Sequence, residues 1–513
     1  MRRLLLPLLG GAVLGLAWLG AAAQESPLPF PGGAKRPTPP PRGRSCGCAH
    51  FCGPATYQGC GCGSLKCVPG GSRLEPASGD AVSLGALARL DGPARCENGL
   101  AAGTFACRAT ELLGLVPLTD LHPLALTGSN LWGFSDLGDG REYAVVGHSY
   151  GTTVVEVTDP VHPRVVGTVE GNYSPWREVK TYQIPSAGES PRRIYAYVTT
   201  EASGSGLQIL DLSGLPDTIS LAATATDFQT SHTITIANVD LSTGAPMPGG
   251  PEPVLYVQGA RPTNFGGTYA LGLADPAAPA VLGTYDGSYT HDSWVGRVSG
   301  DRARGCQAGH DPCDIVVLWT GLDITILDWT AKASPVVLSH LTYPELGYAH
   351  SGWISRDGRH LFSMDEFDEM NTGKPSRVRV IDVSDWRNPR LAGEWDGATT
   401  AIEHNGYTIG DLYYVAHYAR GLTLLDVRDP LHPFEAAFFD TFPESDVAQY
   451  HGSWGVYPFL PSGTILLSNY DGGIGLFAVR HAPVSGDAPR APVVPAPPRA
   501  RTPRVVDAPR PIP

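Results

Sequence analysis

The sequence predicts an all-β protein, a seven-bladed β-propeller, and three observations support this fold class. The 513 residues include 62 Gly and 47 Pro, and only 17% are charged, which favours strands joined by tight turns over long helices. One apolar strand recurs seven times, at intervals of 44 to 61 residues. Most copies are followed by an Asp-Pro turn and a further strand. Four strands in each unit of about 50 residues is typical of a propeller blade.

The seven copies share a short run of alternating apolar residues. They are TVVEV ending at Val157, LQILDL at Leu212, TYALGL at Leu273, TILDW at Trp329, VRVIDV at Val383, LTLLDV at Val427 and IGLFAV at Val479. A Pro-rich stretch follows the last copy, so blade seven lacks a fourth strand. The run LLGLVPL from Leu112 to Leu118 has the alternation needed to supply it. We therefore expect this N-terminal strand to close the ring and to cover an open sheet edge.

The regions outside the repeats differ from them in composition. Residues 1–23 combine Arg2 and Arg3 with an apolar stretch that ends in small residues, which is the pattern of a secretory signal peptide. The predicted order is the signal peptide at 1–23, a Pro-rich linker at 24–45, a Cys-rich segment at 46–70, a connecting segment at 71–110, the propeller at 111–480 and a disordered Pro-, Ala- and Arg-rich tail at 481–513. No later run is long and apolar enough to span a membrane as a helix. We expect an exported protein that is extracellular, periplasmic or on the cell surface.

The ten Cys residues predict disulfide bonds, because an exported chain meets an oxidising compartment. Cys96 lies close enough in sequence to Cys107 for a local bond, and Cys306 lies similarly close to Cys313. Six further Cys residues crowd into residues 46–67, and the sequence does not choose among their pairings. A soft metal ion bound by these thiolates is the alternative for that segment.

Charge along the chain excludes some classes of function. The formal net charge is −13, but residues 129–479 contain 20 Lys and Arg against 41 Asp and Glu, a net charge of −21. Such a body repels phosphates and attracts cations, so a protein that coats nucleic acid or anionic lipid is disfavoured.

Several dispersed motifs resemble the choice-of-anchor B family, bacterial secreted proteins built on LVIVD repeats. The motifs are CENGLAAGTFAC from Cys96, LWGFSDLGDGREYAVVGHSYGTTVVEVTDP from Leu131, WREVKTY from Trp176, YTHDS from Tyr289, AHSGW from Ala349, MDEFDE from Met364, IEHNGY from Ile402 and SWGVYPFLPSG from Ser453. They lie between residues 96 and 479. The resemblance implies an extracellular or surface-displayed β-propeller of undefined biochemical activity. Members often end in a sorting signal or anchor, whereas this chain ends in a basic, Pro-rich stretch, and its Cys cluster falls outside the family pattern.

Histidines recur at one position of the repeat, just before the first strand of a blade. In a propeller this strand lines the central channel, and the turn between the second and third strands lies on the same face. Imidazoles and carboxylates from different blades could therefore meet at one mouth of the channel, and such mixed sets suit a divalent metal ion. The candidate metal ligands are His232, His291, Asp292, His350, Asp365, Glu366, Glu403, His404, His417 and His451.

Each of these patterns also has a structural interpretation. In WD-repeat propellers a His at this position hydrogen-bonds an Asp of the same face and only holds the blade together. The acidic run Asp365, Glu366, Asp368 and Glu369 is either a solvated loop or a Ca²⁺ site completed by backbone carbonyls, and it lacks the Gly and terminal Glu of an EF-hand loop.

The function predicted from the sequence is therefore that of a binding or scaffold module, with an extracellular protein or polysaccharide as its ligand and no catalysis assumed. No Walker loop or His-Glu-x-x-His motif is present. A metal-dependent enzyme that uses the His and carboxylate residues at the channel mouth is the alternative.

Overall fold

A computed structural model describes residues 92–186, 191–261 and 266–483, and it contains seven antiparallel sheets arranged as a β-propeller. The predicted fold class is confirmed. The predicted signal peptide, Pro-rich linker and Cys-rich segment lie outside the described residues, as does the tail from residue 484. No helix among the described residues is long and apolar enough to cross a membrane.

Three short strands, a longer fourth strand and one helical turn precede the blades, which then follow in chain order. The N-terminal elements are β1 (Ala94–Arg95), β2 (Leu100–Ala101), β3 (Phe105–Arg108), β4 (Thr110–Pro117) and α1 (Leu118–Leu121). Blade one contains β5 (Gly128–Ser135), β6 (Glu142–His148), β7 (Gly151–Glu156) and β8 (Arg164–Glu170). Blade two contains β9 (Val179–Ile184), β10 (Arg193–Val198), β11 (Leu207–Asp211) and β12 (Ser220–Ala225). Blade three contains β13 (Ile234–Ala237), β14 (Val254–Ala260), β15 (Gly267–Gly272) and β16 (Ala280–Tyr285).

Blades four to seven continue the same pattern. Blade four contains β17 (Asp292–Val298), β18 (Cys313–Trp319), β19 (Ile324–Asp328) and β20 (Val336–Leu341), with a 3₁₀ turn at Gly300–Gly305. Blade five contains β21 (Ala349–Ile354), β22 (His360–Asp365), β23 (Arg377–Asp382) and β24 (Arg390–Asp396), with the short helix α2 (Asp368–Thr372) between β22 and β23. Blade six contains β25 (Asn405–Ile409), β26 (Leu412–His417), β27 (Gly421–Asp426) and β28 (Phe434–Phe439). Blade seven contains β29 (Ser453–Tyr457), β30 (Ile465–Asn469) and β31 (Ile474–His481).

The repeated Asp-Pro turn has a direct physical role between the third and fourth strands. The carboxylate of Asp159 accepts the backbone N–H of Val161 at 3.1 Å, and Asp275 and Asp429 make the same bond two residues onward at 3.1 Å. An Asp side chain that caps its own turn in this way stabilises the reversal locally. Most of the outer strands that follow are exposed or half-buried, whereas the inner strands are mostly buried between neighbouring blades.

The ring closes through β4, as the sequence predicts. β4 pairs antiparallel with β31, and Leu115 lies opposite Phe477 in the register. The closing strand begins at Thr110, and Leu118 already belongs to α1. A second N-terminal strand, β3, pairs with the outer strand β28 of blade six, which the sequence did not predict.

Both predicted disulfide bonds are present in the structure. Cys96 and Cys107 join β3 to the segment between β1 and β2, with their Cα atoms 5.8 Å apart. Cys306 and Cys313 join the 3₁₀ turn region of blade four to the start of β18, with a Cα separation of 6.5 Å.

A loop of blade three covers the end of the channel at which the inner strands finish. The carbonyl of Ser242 accepts the backbone N–H of Ser135 in blade one at 2.8 Å. The carbonyl of Leu241 accepts the Tyr457 hydroxyl of blade seven at 2.7 Å. The backbone N–H of Gln183 in blade two donates to the carbonyl of Gly244 at 3.0 Å. One loop is thus bound to three other blades at this end of the channel.

Candidate metal centre

Four histidines from consecutive blades lie side by side at the mouth where the inner strands begin. Centroid distances between neighbouring rings are 4.2 Å from His232 to His291, 4.2 Å from His291 to His350 and 4.3 Å from His350 to His404. Each histidine lies within two residues of the start of its inner strand. Residues at the same position of successive repeats therefore form an arc of neighbouring imidazoles at this mouth.

Hydrogen bonds between blades fix the tautomer of three of these rings. The δ1 nitrogen of His291 lies 3.1 Å from the carbonyl of His350, that of His350 lies 3.0 Å from the carbonyl of His404, and that of His404 lies 2.7 Å from the carbonyl of Trp454. A carbonyl can only accept, so each δ1 nitrogen carries the proton. The ε2 nitrogens are left with lone pairs, which is the form and orientation that metal-bound histidines show.

A carboxylate from blade five faces these ε2 nitrogens. Glu366, in the connection between β22 and β23, places one oxygen 3.7 Å from the ε2 nitrogen of His350 and the other 3.7 Å from that of His404. The Tyr418 hydroxyl donates to Glu366 at 3.1 Å and orients it. The ε2 nitrogen of His350 is buried and has no hydrogen-bond partner among the described residues.

His232 completes the arc in a different way. Its ε2 nitrogen lies 2.7 Å from the ε2 nitrogen of His291, and its δ1 nitrogen lies 2.6 Å from the Glu201 carboxylate. Burial opposes ionisation of His232, but the Glu201 carboxylate outweighs it and raises the pKa of His232. His232 can therefore carry the proton that it shares with His291.

Burial controls the protonation of the other rings. It lowers the pKa of His404 to about 3 and, together with the neighbouring imidazoles, holds the pKa values of His291 and His350 well below the ordinary range. Burial also raises the pKa of Glu366 to about 7. Neutral imidazoles are the state that binds metal ions, so the site presents nitrogen lone pairs at neutral pH.

The remaining predicted residues lie elsewhere. Asp365 points away from the histidines and accepts the Tyr343 hydroxyl at 3.0 Å and the Tyr348 N–H at 2.7 Å, so it organises the loop that carries Glu366. His417 is buried within blade six, with its ring nitrogens 3.0 Å from the Thr423 hydroxyl and 3.0 Å from the Ala401 carbonyl. Both contacts lie within blade six, so His417 helps to hold its own blade together.

His451 does not join the arc although it has the right sequence phase. The inner strand of blade seven begins at Ser453, and His451 lies in the loop before it. Its δ1 nitrogen lies 2.5 Å from the Asp471 carboxylate. Trp454 takes the corresponding place in the ring and packs edge-on against His404 at 5.2 Å.

Two predicted carboxylates flank histidines in sequence but face other surroundings. Asp292 lines the channel beyond the imidazoles, near the buried ion pair of Glu178 and Lys180. Burial, reinforced by the Glu178 charge, raises the pKa of Asp292 to about 7. Glu403 lies against a separate group of acids in blade five. The ion pair was missed from the sequence, because neither residue falls at the repeated position.

Comparisons with known proteins found similarity to solved structures alone. No family model matches the chain, and no curated protein matches it. Among solved structures, a protein from Lactobacillus plantarum is 14% identical with a TM-score of 0.44, and the match covers 68% of this chain and 91% of that one. Sqt1 of Saccharomyces cerevisiae is 10% identical with a TM-score of 0.42, over 68% of this chain and 83% of that one. The C-terminal WD40 domain of Sif2 is 12% identical with a TM-score of 0.40, over 73% and 91%.

Proposed function

We propose that this protein is a metal-binding propeller in which His291, His350, His404 and Glu366 hold one divalent transition-metal ion at the channel mouth. The observation that carries the proposal is the orphaned ε2 nitrogen of His350, which is buried, carries a lone pair and faces a carboxylate. An unsatisfied buried polar atom of this kind costs free energy unless a partner is bound.

The donor set selects a class of metal. Imidazole nitrogens suit Zn²⁺, Cu²⁺, Ni²⁺ and Fe²⁺, and one carboxylate is a common companion, whereas Ca²⁺ and Mg²⁺ prefer oxygen ligands alone. The backbone carbonyls of the next blades act as the outer partners that orient each ring.

The channel geometry supports a role in binding a ligand at this metal. The loop around Leu241 covers the far end of the channel, and the histidines lie at the opposite mouth beside Glu366 and Tyr418. A metal ion with a free coordination position can bind such a ligand and polarise it. A propeller that binds its ligand without a metal is the alternative.

Metal retention tests the proposal directly. Protein dialysed against EDTA and then reconstituted with Zn²⁺, Cu²⁺, Ni²⁺ or Co²⁺ is expected to retain one ion per chain after gel filtration, measured by inductively coupled plasma mass spectrometry. Chelation should lower the melting temperature, because a ligand that binds only the native state stabilises it. Retention of none of these ions would remove the metal and favour the metal-free binding module.

We further propose that the protein is exported and belongs with the choice-of-anchor B proteins. The two disulfide bonds support export, because such bonds persist in oxidising compartments. Peptide mapping of exported protein without reductant is expected to recover Cys96 linked to Cys107 and Cys306 linked to Cys313. Free thiols at either pair would contradict this expectation.

A further inference from the structure

Three carboxylates form a second cluster between blades five and six. Asp368 and Glu369 belong to α2, and Glu403 comes two residues before β25. Carboxylate oxygens from the three residues lie within 4.8 Å of one another. All three side chains are buried, and Glu369 is only 2% exposed. Acids this deep in a protein are paired or coordinate a metal ion.

The hydrogen bonds that reach this cluster do not satisfy it. The Arg379 guanidinium donates to one oxygen of Asp368 at 2.7 Å, and the backbone N–H of Arg377 donates to one oxygen of Glu403 at 3.3 Å. The other oxygen of Asp368, the other oxygen of Glu403 and both oxygens of Glu369 receive no N–H or O–H hydrogen bond from the described residues. Four buried carboxylate oxygens in the cluster are therefore without a donor among the described residues.

The charges around the cluster are also unbalanced. Arg379 is buried beside Asp368 and stacks 4.4 Å from the centre of the Tyr343 ring. It offsets one of the three carboxylates, so the fully ionised group carries two excess negative charges in a region that excludes water. Such a group is stable only if the carboxyls take up protons or if a cation of matching charge binds among them.

We propose that Asp368, Glu369 and Glu403 bind one calcium ion. The available donors are all oxygens, which suits a hard cation, and no imidazole or thiolate belongs to the cluster as the structure describes it. A charge of +2 balances the excess negative charge. Ca²⁺ accepts six to eight oxygens in irregular geometry, whereas Mg²⁺ demands a near-ideal octahedron, so three carboxylates of unequal reach favour Ca²⁺.

This site is independent of the proposed transition-metal centre in its chemistry but linked to it along the chain. Glu366 lies two residues before Asp368, and His404 directly follows Glu403. The two sites use different donor atoms, so each can be occupied when the other is disabled. The competing explanation is that the carboxyls share protons and bind no ion.

Terbium luminescence separates these explanations. Tb³⁺ replaces Ca²⁺ in oxygen sites, and Tyr343 lies close enough to the cluster to sensitise its emission. With EGTA-treated protein of the H350A variant, in which the histidine centre is disabled, we expect one Tb³⁺ per chain that is displaced by Ca²⁺ and not by equimolar Mg²⁺. Ca²⁺ should also raise the melting temperature of wild-type protein.

Isosteric amide variants provide the matched comparison. Glu369→Gln is expected to weaken Tb³⁺ binding by at least about tenfold, because affinity follows the number of charged ligands. Asp385→Asn, which alters an exposed acid that accepts a hydrogen bond from Asn388 in the same blade, should bind as wild type does. Glu403→Gln serves in place of Glu369→Gln if the latter does not fold. Absence of Tb³⁺ binding, or equal binding by Glu369→Gln and wild type, would establish the shared-proton explanation and overturn the proposal.

Discussion

Replacing His350 by Ala is expected to lower transition-metal affinity by at least about 100-fold, since even the outer partners of metal ligands are worth about 10- to 100-fold. His350 occupies the middle of the arc, with the rings of His291 and His404 at 4.2 and 4.3 Å on either side. Its ε2 nitrogen lies 3.7 Å from a Glu366 oxygen, and it is buried without a hydrogen-bond partner among the described residues. Replacing His350 removes the imidazole between His291 and His404. Glu366 then faces only one of the two ε2 nitrogens that it faces in the wild type. Isothermal titration with Zn²⁺ measures the change.

Double substitutions test whether the histidines act as a unit. If they share a metal ion, His291→Ala or His404→Ala should add little to the loss already caused by His350→Ala. If the rings only hold the blades together through their δ1 hydrogen bonds, each substitution should cost about 1–3 kcal/mol of unfolding free energy. Those costs should then be roughly additive and independent of chelator.

The chain offers a control for this series. His451 precedes an inner strand like the others, but it lies in a loop and pairs with Asp471 outside the arc. His451→Ala is expected to keep full metal affinity. Additive, chelator-independent losses in the arc, or an equal loss of metal in the control, would contradict the shared site.

Removing β4 is expected to unfold the whole propeller at room temperature. The strand buries Leu112, Leu113, Leu115 and Val116 against the ring. Burying a side chain of this size is worth about 1.5–3 kcal/mol, so four of them approach the total stability of a typical domain, about 5–15 kcal/mol. The loss also exposes the edge of β31, which is a template for aggregation.

Three chains with different starting points isolate this effect. A chain that begins at Gly92 is the reference, one that begins at Thr110 lacks β1 to β3, and one that begins at Leu118 also lacks β4. We expect the second chain to melt cooperatively and the third to be unfolded or aggregated by circular dichroism. A synthetic peptide of residues 110–117 should partly rescue the third chain. Equal melting of the second and third chains would show that β4 does not close the ring.

Much of the fold was predictable because its signals are local. The turn at Asp159 and its repeats mark the boundary between the third and fourth strands of a blade. Each turn depends on a hydrogen bond between residues only two positions apart. Counting strands then revealed the missing strand that β4 supplies. The pairing of β3 with β28 was not predictable, because a four-residue strand carries too little pattern to name a partner more than 300 residues away.

The candidate site was predictable only in outline. The repeat phase brought His232, His291, His350 and His404 to one mouth, as the pattern indicated. The acids Asp292 and Glu403 directly adjoin two of these residues, yet they face other surroundings. Successive side chains of extended backbone point to opposite sides, so closeness in sequence did not place the acids beside the imidazoles.

The sequence by itself determined the number of blades, the closing strand and the face on which the repeated histidines lie, because these follow from periodicity and strand count. The tertiary structure alone decided which histidines meet, which nitrogen of each ring is free and which acid faces them. Each of these depends on contacts between blades, such as the bond from His350 to the carbonyl of His404. Such contacts join residues about one repeat apart in the chain, and only a closed ring sets their distance and direction. His451 has the same repeat phase, yet it pairs with Asp471 in a loop outside the arc, a contact that no repeat pattern indicates.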